Sequence, residues 1–108
     1  MIKLNKIIQN ALSKQDIPYY YVERPVGKFP SVVFYYNEYV KDRADNKIES
    51  LKYDCYFNLY AKSNLSANTN KIVKVLEDAG FIKVVVNSPV KFDELDYYQI
   101  TMNFVKRK

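Results

Sequence analysis

The chain predicts an α+β domain: an antiparallel sheet of four or five strands with two helices on one face, in the order α-β-β-β-α-β-β. Three observations lead there. Residues 51–60, Leu-Lys-Tyr-Asp-Cys-Tyr-Phe-Asn-Leu-Tyr, alternate for ten positions, and a period of two is the side-chain period of a strand. Residues 97–105 alternate as cleanly, with Tyr98, Ile100, Met102 and Phe104 against Tyr97, Gln99, Thr101 and Asn103. Two other segments place apolar residues three and four apart, the spacing of a half-buried helix.

The first element is a helix over about 2–14. Leu4, Ile7, Ile8, Ala11 and Leu12 form its stripe, and Lys3, Lys6, Asn10 and Ser13 its wet side. Pro18 disfavours helix at Ile17 and closes it. Residues 19–24 make a short strand near a sheet edge, since a proline lies on each side of it. A turn-rich connection, Val26-Gly27-Lys28-Phe29-Pro30, follows. Residues 31–40 make the next strand. Residues 41–49 mix charges of both signs without apolar repeat, which reads as a hairpin connection, a ribbon projecting from the body, with Asp45-Asn46 as the turn pair. Residues 51–60 are the central strand: Leu51, Tyr53, Cys55, Phe57 and Leu59 face the core, and Lys52, Asp54, Tyr56, Asn58 and Tyr60 face away.

A second helix spans about 66–79, with Leu65, Thr69, Ile72, Val75, Leu76 and Ala79 on one face. Ser63, Asn64 and Ser66 offer N-cap side chains, and Gly80 the C-terminal cap. Residues 81–86, Phe-Ile-Lys-Val-Val-Val, are almost continuously apolar, as in a strand covered on both sides. Sequence neighbours joined by short turns are expected to pair antiparallel.

At 108 residues the chain reads as one domain, residues 1–108. No run approaches the ~20 apolar residues of a membrane span, and no signal peptide opens the chain. A single cysteine excludes an internal disulfide; Cys55 on the core face reads as a small hydrophobe, with a reactive thiol as the sharper alternative. Synthesis in a reducing cytoplasm fits. The formal charge is +5, from 17 Lys and Arg against 12 Asp and Glu. The positive residues are scattered apart from the terminal Lys106, Arg107 and Lys108.

The chain has no histidine and two widely separated glycines. That removes the usual general base, the usual metal ligand and any phosphate-cradling loop. No catalytic role, cofactor or metal is expected. What remains is eleven tyrosines. Tyr35, Tyr39, Tyr56, Tyr60 and Tyr97 all fall on the polar register of their strands. Strand propensity explains tyrosine in strands, and a register error would turn some inward. An interface reading is sharper, because tyrosine brings large contact area at low entropic cost. A stacking platform for single-stranded nucleic acid needs basic residues between the rings; here the outward neighbours are Asn37, Asn58, Gln99, Thr101 and Asn103.

A pattern emerges from these pieces. After the first helix come residues 19–36, Tyr-Tyr-Tyr-Val-Glu-Arg-Pro-Val-Gly-Lys-Phe-Pro-Ser-Val-Val-Phe-Tyr-Tyr. A charged link, Arg43-Ala44-Asp45-Asn46-Lys47, precedes Tyr-Asp-Cys-Tyr-Phe-Asn-Leu-Tyr and a helix ending in Ala-Gly-Phe. In element order and size this resembles the small tail-completion or tail-terminator proteins of tailed bacteriophages and related contractile particles. The resemblance implies a virion protein made in the bacterial host cytoplasm. Such proteins form rings, commonly hexameric, on top of the tail tube, stop tube growth and meet the neck or head. Its expected partners are further copies of itself, the tail tube protein and a neck or head-completion protein, with non-specific passage of DNA through the ring. On this reading Tyr35, Tyr39, Tyr56, Asn58, Tyr60 and Tyr97 form the subunit interface. The ribbon carrying Lys41, Asp42, Arg43, Asp45, Lys47 and Glu49 reaches the tube or a neighbour. A head–tail adaptor of the neck and a small nucleic-acid-binding module are the alternatives.

Overall fold

The computed structural model describes residues 4–23, 27, 29–44, 47–91 and 96–107, without the side chains of 38–44, 47–52 and 107. The described residues form α1 (Leu4–Leu12), β1 (Tyr19–Tyr21), β2 (Ser31–Ala44), β3 (Lys47–Ala61), α2 (Leu65–Asp78), β4 (Ile82–Val86), β5 (Val90–Lys91) and β6 (Tyr98–Arg107). The strands make one sheet in the order β1-β2-β3-β6-β4, and β5 pairs with β6 beside β4. The α+β class and the order of elements agree with the sequence; the two-residue β5 adds a strand.

Parity along β3 sets the two faces. Tyr53, Cys55, Phe57 and Leu59 are buried against α1 and α2, together with Val32 and Phe34 of β2 and Ile100, Met102 and Phe104 of β6. Leu4, Ile8 and Leu12 of α1 and Ile72 and Leu76 of α2 close this core. Phe57 sits at its middle. Its ring centroid lies 6.2 Å from Phe34, 6.2 Å from Phe81 and 5.6 Å from Phe104, the last two edge-on, the geometry the ring quadrupoles favour. Two helices cover one face of the sheet, so the other face is built from strands alone.

Local signals explain most boundaries. Gly80 adopts a positive φ of 94° after α2. The Gly80 N–H donates to the Glu77 carbonyl and the Phe81 N–H to the Leu76 carbonyl, each at 3.0 Å. This is a Schellman stop, and it swings Phe81 into the core. The N-terminal cap differs from expectation. Asn64 holds the position in the left-handed region, φ 55°, without a side-chain cap bond. The buried Asn68 instead donates from Nδ2 to the Ser63 carbonyl at 3.3 Å.

Three expectations are corrected. β1 runs parallel to β2, with Tyr19 opposite Val32 and Tyr21 opposite Phe34. A strand of only three residues is ~10 Å long, so the residues between β1 and β2 suffice to carry the chain back to the same end. β4 is not covered on both sides. It is the sheet's outer strand, and Ile82, Lys83, Val84 and Val85 are exposed. Its length and β-branching suit a strand, but a continuous apolar run does not say what lies beside it. Third, the ribbon is far more regular than its mixed charges suggested. β2 and β3 pair from Ser31↔Tyr60 out to Ala44↔Lys47, with bulges between Val40 and Arg43. At ~3.3 Å per residue the fifteen residues of β3 span nearly the molecule's longest dimension, 52 Å. β6 accompanies β3 only from Lys52 to Ala61, so the outer part of the hairpin is two-stranded among the described residues.

Phe57→Ala should cost about 3–5 kcal/mol, the usual range for emptying a core aromatic site, which is a large share of the ~5–15 kcal/mol of a domain this size. Urea denaturation followed by circular dichroism checks it: the midpoint should fall by more than about 1 M, given a slope of roughly 1–3 kcal/mol per molar. An unchanged midpoint would show that Phe57 is not central.

Candidate interaction face

The face of the sheet away from the helices is where the sequence-predicted site residues come together. Strand pairing places Tyr35 opposite Tyr56, Val33 opposite Asn58 and Ser31 opposite Tyr60. On the other side of β3, Asn103, Thr101 and Gln99 stand opposite Tyr56, Asn58 and Tyr60. Tyr39 takes the same parity on β2, opposite Lys52, and its side chain lies outside the described residues. So do the side chains of Lys41, Asp42, Arg43, Lys47 and Glu49, all of Asp45 and Asn46, and the Arg107–Lys108 end.

Two aromatic pairs bracket a polar centre. Tyr35 and Tyr56 stack with centroids 5.1 Å apart and planes at 18°. Four residues further along β3, Tyr60 meets Tyr97 edge-on at 5.9 Å, and Tyr97 meets Phe29 at 4.8 Å. Lys62 places its ammonium 5.2 Å from the Phe29 ring centroid, within cation–π range.

Between the pairs the polar side chains of β3 and β6 are hydrogen-bonded to one another. The Tyr56 hydroxyl donates to Asp54 Oδ2 at 3.1 Å. Asn103 Nδ2 donates to Asp54 Oδ1 at 3.0 Å and to the Cys55 carbonyl at 3.1 Å. Asn58 is 8% exposed, and its Oδ1 accepts from Thr101 Oγ1 at 2.8 Å and Gln99 Nε2 at 3.3 Å. A buried amide with two donors on its oxygen is held in one orientation. The cross-strand ladder therefore fixes the rings and amides of this face relative to each other.

What this face can do follows from what it presents. A depression beside the ladder, bordered by Asn87, Ser88, Val90, Gln99 and Thr101, encloses about 250 Å³. That is smaller than the usual ~300–1,000 Å³ of a small-molecule pocket. Rigid aromatic area, satisfied amides and little charge suit contact with another protein. The helical side offers the contrast, with exposed Lys6, Lys14, Lys71, Lys74, Glu77 and Asp78 and the Lys71–Asp16 pair at 3.1 Å, a solvated surface.

Cys55 lies behind the face, fully buried in the core. Burial pushes its thiol up to about 12, and the Asp54 carboxylate adds to the shift. Its environment is that of an inert structural cysteine.

Sequence reasoning missed the apolar margin. Ile82 pairs with Val105, Val85 with Asn103 and Val90 with Gln99, so all three share the open face by register, and all three are exposed. The one available signal was Lys83 within the apolar run, since a lysine in a strand is typical of an outer position.

The chain was compared with known proteins. No protein-family model matches it, and no curated protein matches it. Among solved structures it is similar to a chain of the virion of a native gene transfer agent particle. The TM-score is 0.63 and the identity 15%, covering 96% of this chain and 92% of that one. At that identity the likeness is one of fold, and it extends over essentially the whole of both chains.

The thiol makes the site's surroundings testable. In the folded state it deprotonates near 12, against an ordinary value of 9.0. High pH therefore favours the unfolded chain: the stabilisation is complete below about pH 9 and is lost as pH rises toward the folded value. Stability measured from about pH 8 to pH 11 should fall less steeply in Cys55→Ala than in the wild type. Identical slopes would show that the thiol is not held in the core.

Proposed function

We propose that this protein is a structural component of a phage-like virion, one that assembles as a closed ring on the end of the tail tube. There it ends tube growth and presents a surface to the neck or head. The observation that carries the reading is the open sheet face. It holds preorganised tyrosine pairs around a satisfied amide ladder, next to an exposed apolar margin, on a side the helices leave uncovered. Such a face suits burial against protein. The fold-wide likeness to a chain of a gene transfer agent virion supports the same setting, as do the tail-terminator-like element order and motifs.

In the proposed assembly each copy turns this face toward the next copy. Tyr35, Tyr56, Asn58, Tyr60 and Tyr97 are its anchors, with Tyr39 on the same register. A heterologous contact that closes on itself gives a ring; one that does not close gives a filament. The β2–β3 hairpin extends beyond β6 and is the part that reaches the tube or a neighbour. The chain's charge of +5 eases passage of DNA through the ring without sequence preference. No chemistry is assigned to the protein.

Replacing Tyr56 and Tyr60 together by Ser tests the face. Both are partly buried and off the core side of β3, so the variant should fold with an unchanged far-ultraviolet spectrum. Buried interface aromatics commonly contribute about 2 kcal/mol or more each, so self-association should weaken by well over tenfold. Size-exclusion with light scattering over concentration and salt reads this, against a one-chain mass of 12.8 kDa. A variant that assembles like the wild type overturns the face. A wild-type chain that remains a monomer at every concentration, with tail tubes present as well, overturns the ring.

A further inference from the structure

The two outer strands of the sheet share an anomaly. Outer strands are normally blunted by charge, proline or covering loops, because their free backbone groups recruit other strands. β4 instead exposes Ile82 at 57% and Val84 at 56%, with Val85 beside them and Lys83 as its single charge. At the opposite edge, β1 exposes Tyr21 and, just past the strand, Val22 at 59%. Among the described residues no strand lies beyond either.

The backbone of β1 is arranged for a second partner. The Val22 N–H donates to the Phe34 carbonyl at 3.0 Å, and the Pro18 carbonyl accepts from Val32 at 2.9 Å. Pro18, Tyr20 and Val22 therefore turn their groups toward β2. By the alternation of a strand, Tyr19 turns both its groups outward and Tyr21 its N–H. The Glu23 N–H donates back to the Tyr21 carbonyl at 2.7 Å, around Val22 at φ 68°. A positive φ is an outlier for a β-branched residue. That turn holds Val22 and Glu23 at the rim of the edge, where both are exposed.

We infer that copies of this chain join edge to edge, β1 of one copy pairing antiparallel with β4 of the next. Three facts select this occupant. Strand direction is the first: β1 runs with β2, while β3, β6 and β4 alternate from it, so β4 opposes β1 and extending the sheet into the next copy gives an antiparallel pair. Charge is the second. The β1 edge carries Glu23 and the β4 edge carries Lys83. Joining unlike edges sets one against the other, whereas a two-fold joint of like edges brings lysine to lysine or glutamate to glutamate. The third is continuity: Ile82, Val85 and Val90 sit at the β4 margin of the open face, so the joint buries an apolar border that the face otherwise leaves in water. With Glu23 opposite Lys83, Val22 falls opposite Val84, at the bulge between Lys83 and Val85.

The joint rests on the proposed ring and gives it the two different surfaces that a head-to-tail contact needs on every copy. Adjoining sheets turn toward their open sides at each junction, so the open face of one copy is brought toward that of the next and the margin beside β4 is buried between them.

Cross-linking tests it. Antiparallel neighbours lie ~4.5–5.5 Å apart at Cα, within disulfide reach. The Val22→Cys/Val84→Cys double variant, oxidised mildly at a concentration where light scattering shows oligomers, should give a ladder of linked chains on a non-reducing gel. Neither single variant should link. The native Cys55 is buried and stays out of the reaction. Charge reversal gives a second reading: Glu23→Lys or Lys83→Glu alone should weaken assembly several-fold, and the two together should restore it.

Linked dimers from Val84→Cys alone would replace this joint with a two-fold one. Oligomers by light scattering without a ladder, and without charge-swap rescue, would overturn the edge joint and leave the ring standing. A chain that stays monomeric throughout, tail tubes included, would overturn both.

Discussion

Phe57 occupies the point where the molecule's layers meet. Its neighbours come from β2, from β6 and from the turn that follows α2, so one ring ties three elements of distant sequence together. The elements on either side of it are interpretable only relative to that seam. With the core face committed to it, every second residue of β3 is committed to the opposite side. Strand periodicity allows no intermediate choice, because a slip by one residue would exchange the two sets. The composition of the open face is thus a direct consequence of where the core lies.

Much of this was legible in the chain. The alternation over 51–60 and 97–105 by itself places Tyr56, Asn58, Tyr60, Thr101 and Asn103 on one side, because side-chain parity is a local property. Gly80 announced its own cap for the same reason. The failures were of neighbourhood. That β4 lies outermost and that β1 runs parallel to β2 are decided by which strands meet in space. The run Phe-Ile-Lys-Val-Val-Val reads the same at a sheet's centre and at its rim. Asn58 was placed on the correct face, but its near-complete burial depends on Thr101 and Gln99 from a strand more than forty residues away.

The two edges and the open face belong to a single design problem. A sheet with helices on one side has three unprotected borders: one face and two rims. Solvated proteins treat such borders with charge, and this chain does so on its helices, where Lys71, Lys74, Glu77 and Asp78 stand in water. On the sheet it places tyrosine, valine and isoleucine instead, with Glu23 at one rim and Lys83 and Lys91 at the other. The contrast within a single molecule sets these borders apart from its solvated helical surface.

The ladder under the tyrosines also bears on how fast and how long contacts last. Asp54 anchors the Tyr56 hydroxyl and Asn103, and Tyr35 lies flat on Tyr56. A partner reaching this face meets rings whose rotamers folding has already chosen, so docking involves little local rearrangement. Encounter rates then depend on orientation alone, and differences in affinity among variants of the face appear in lifetime, as is usual within one interface. Loosening the anchor at Asp54 would shorten residence without removing a single aromatic atom from the contact.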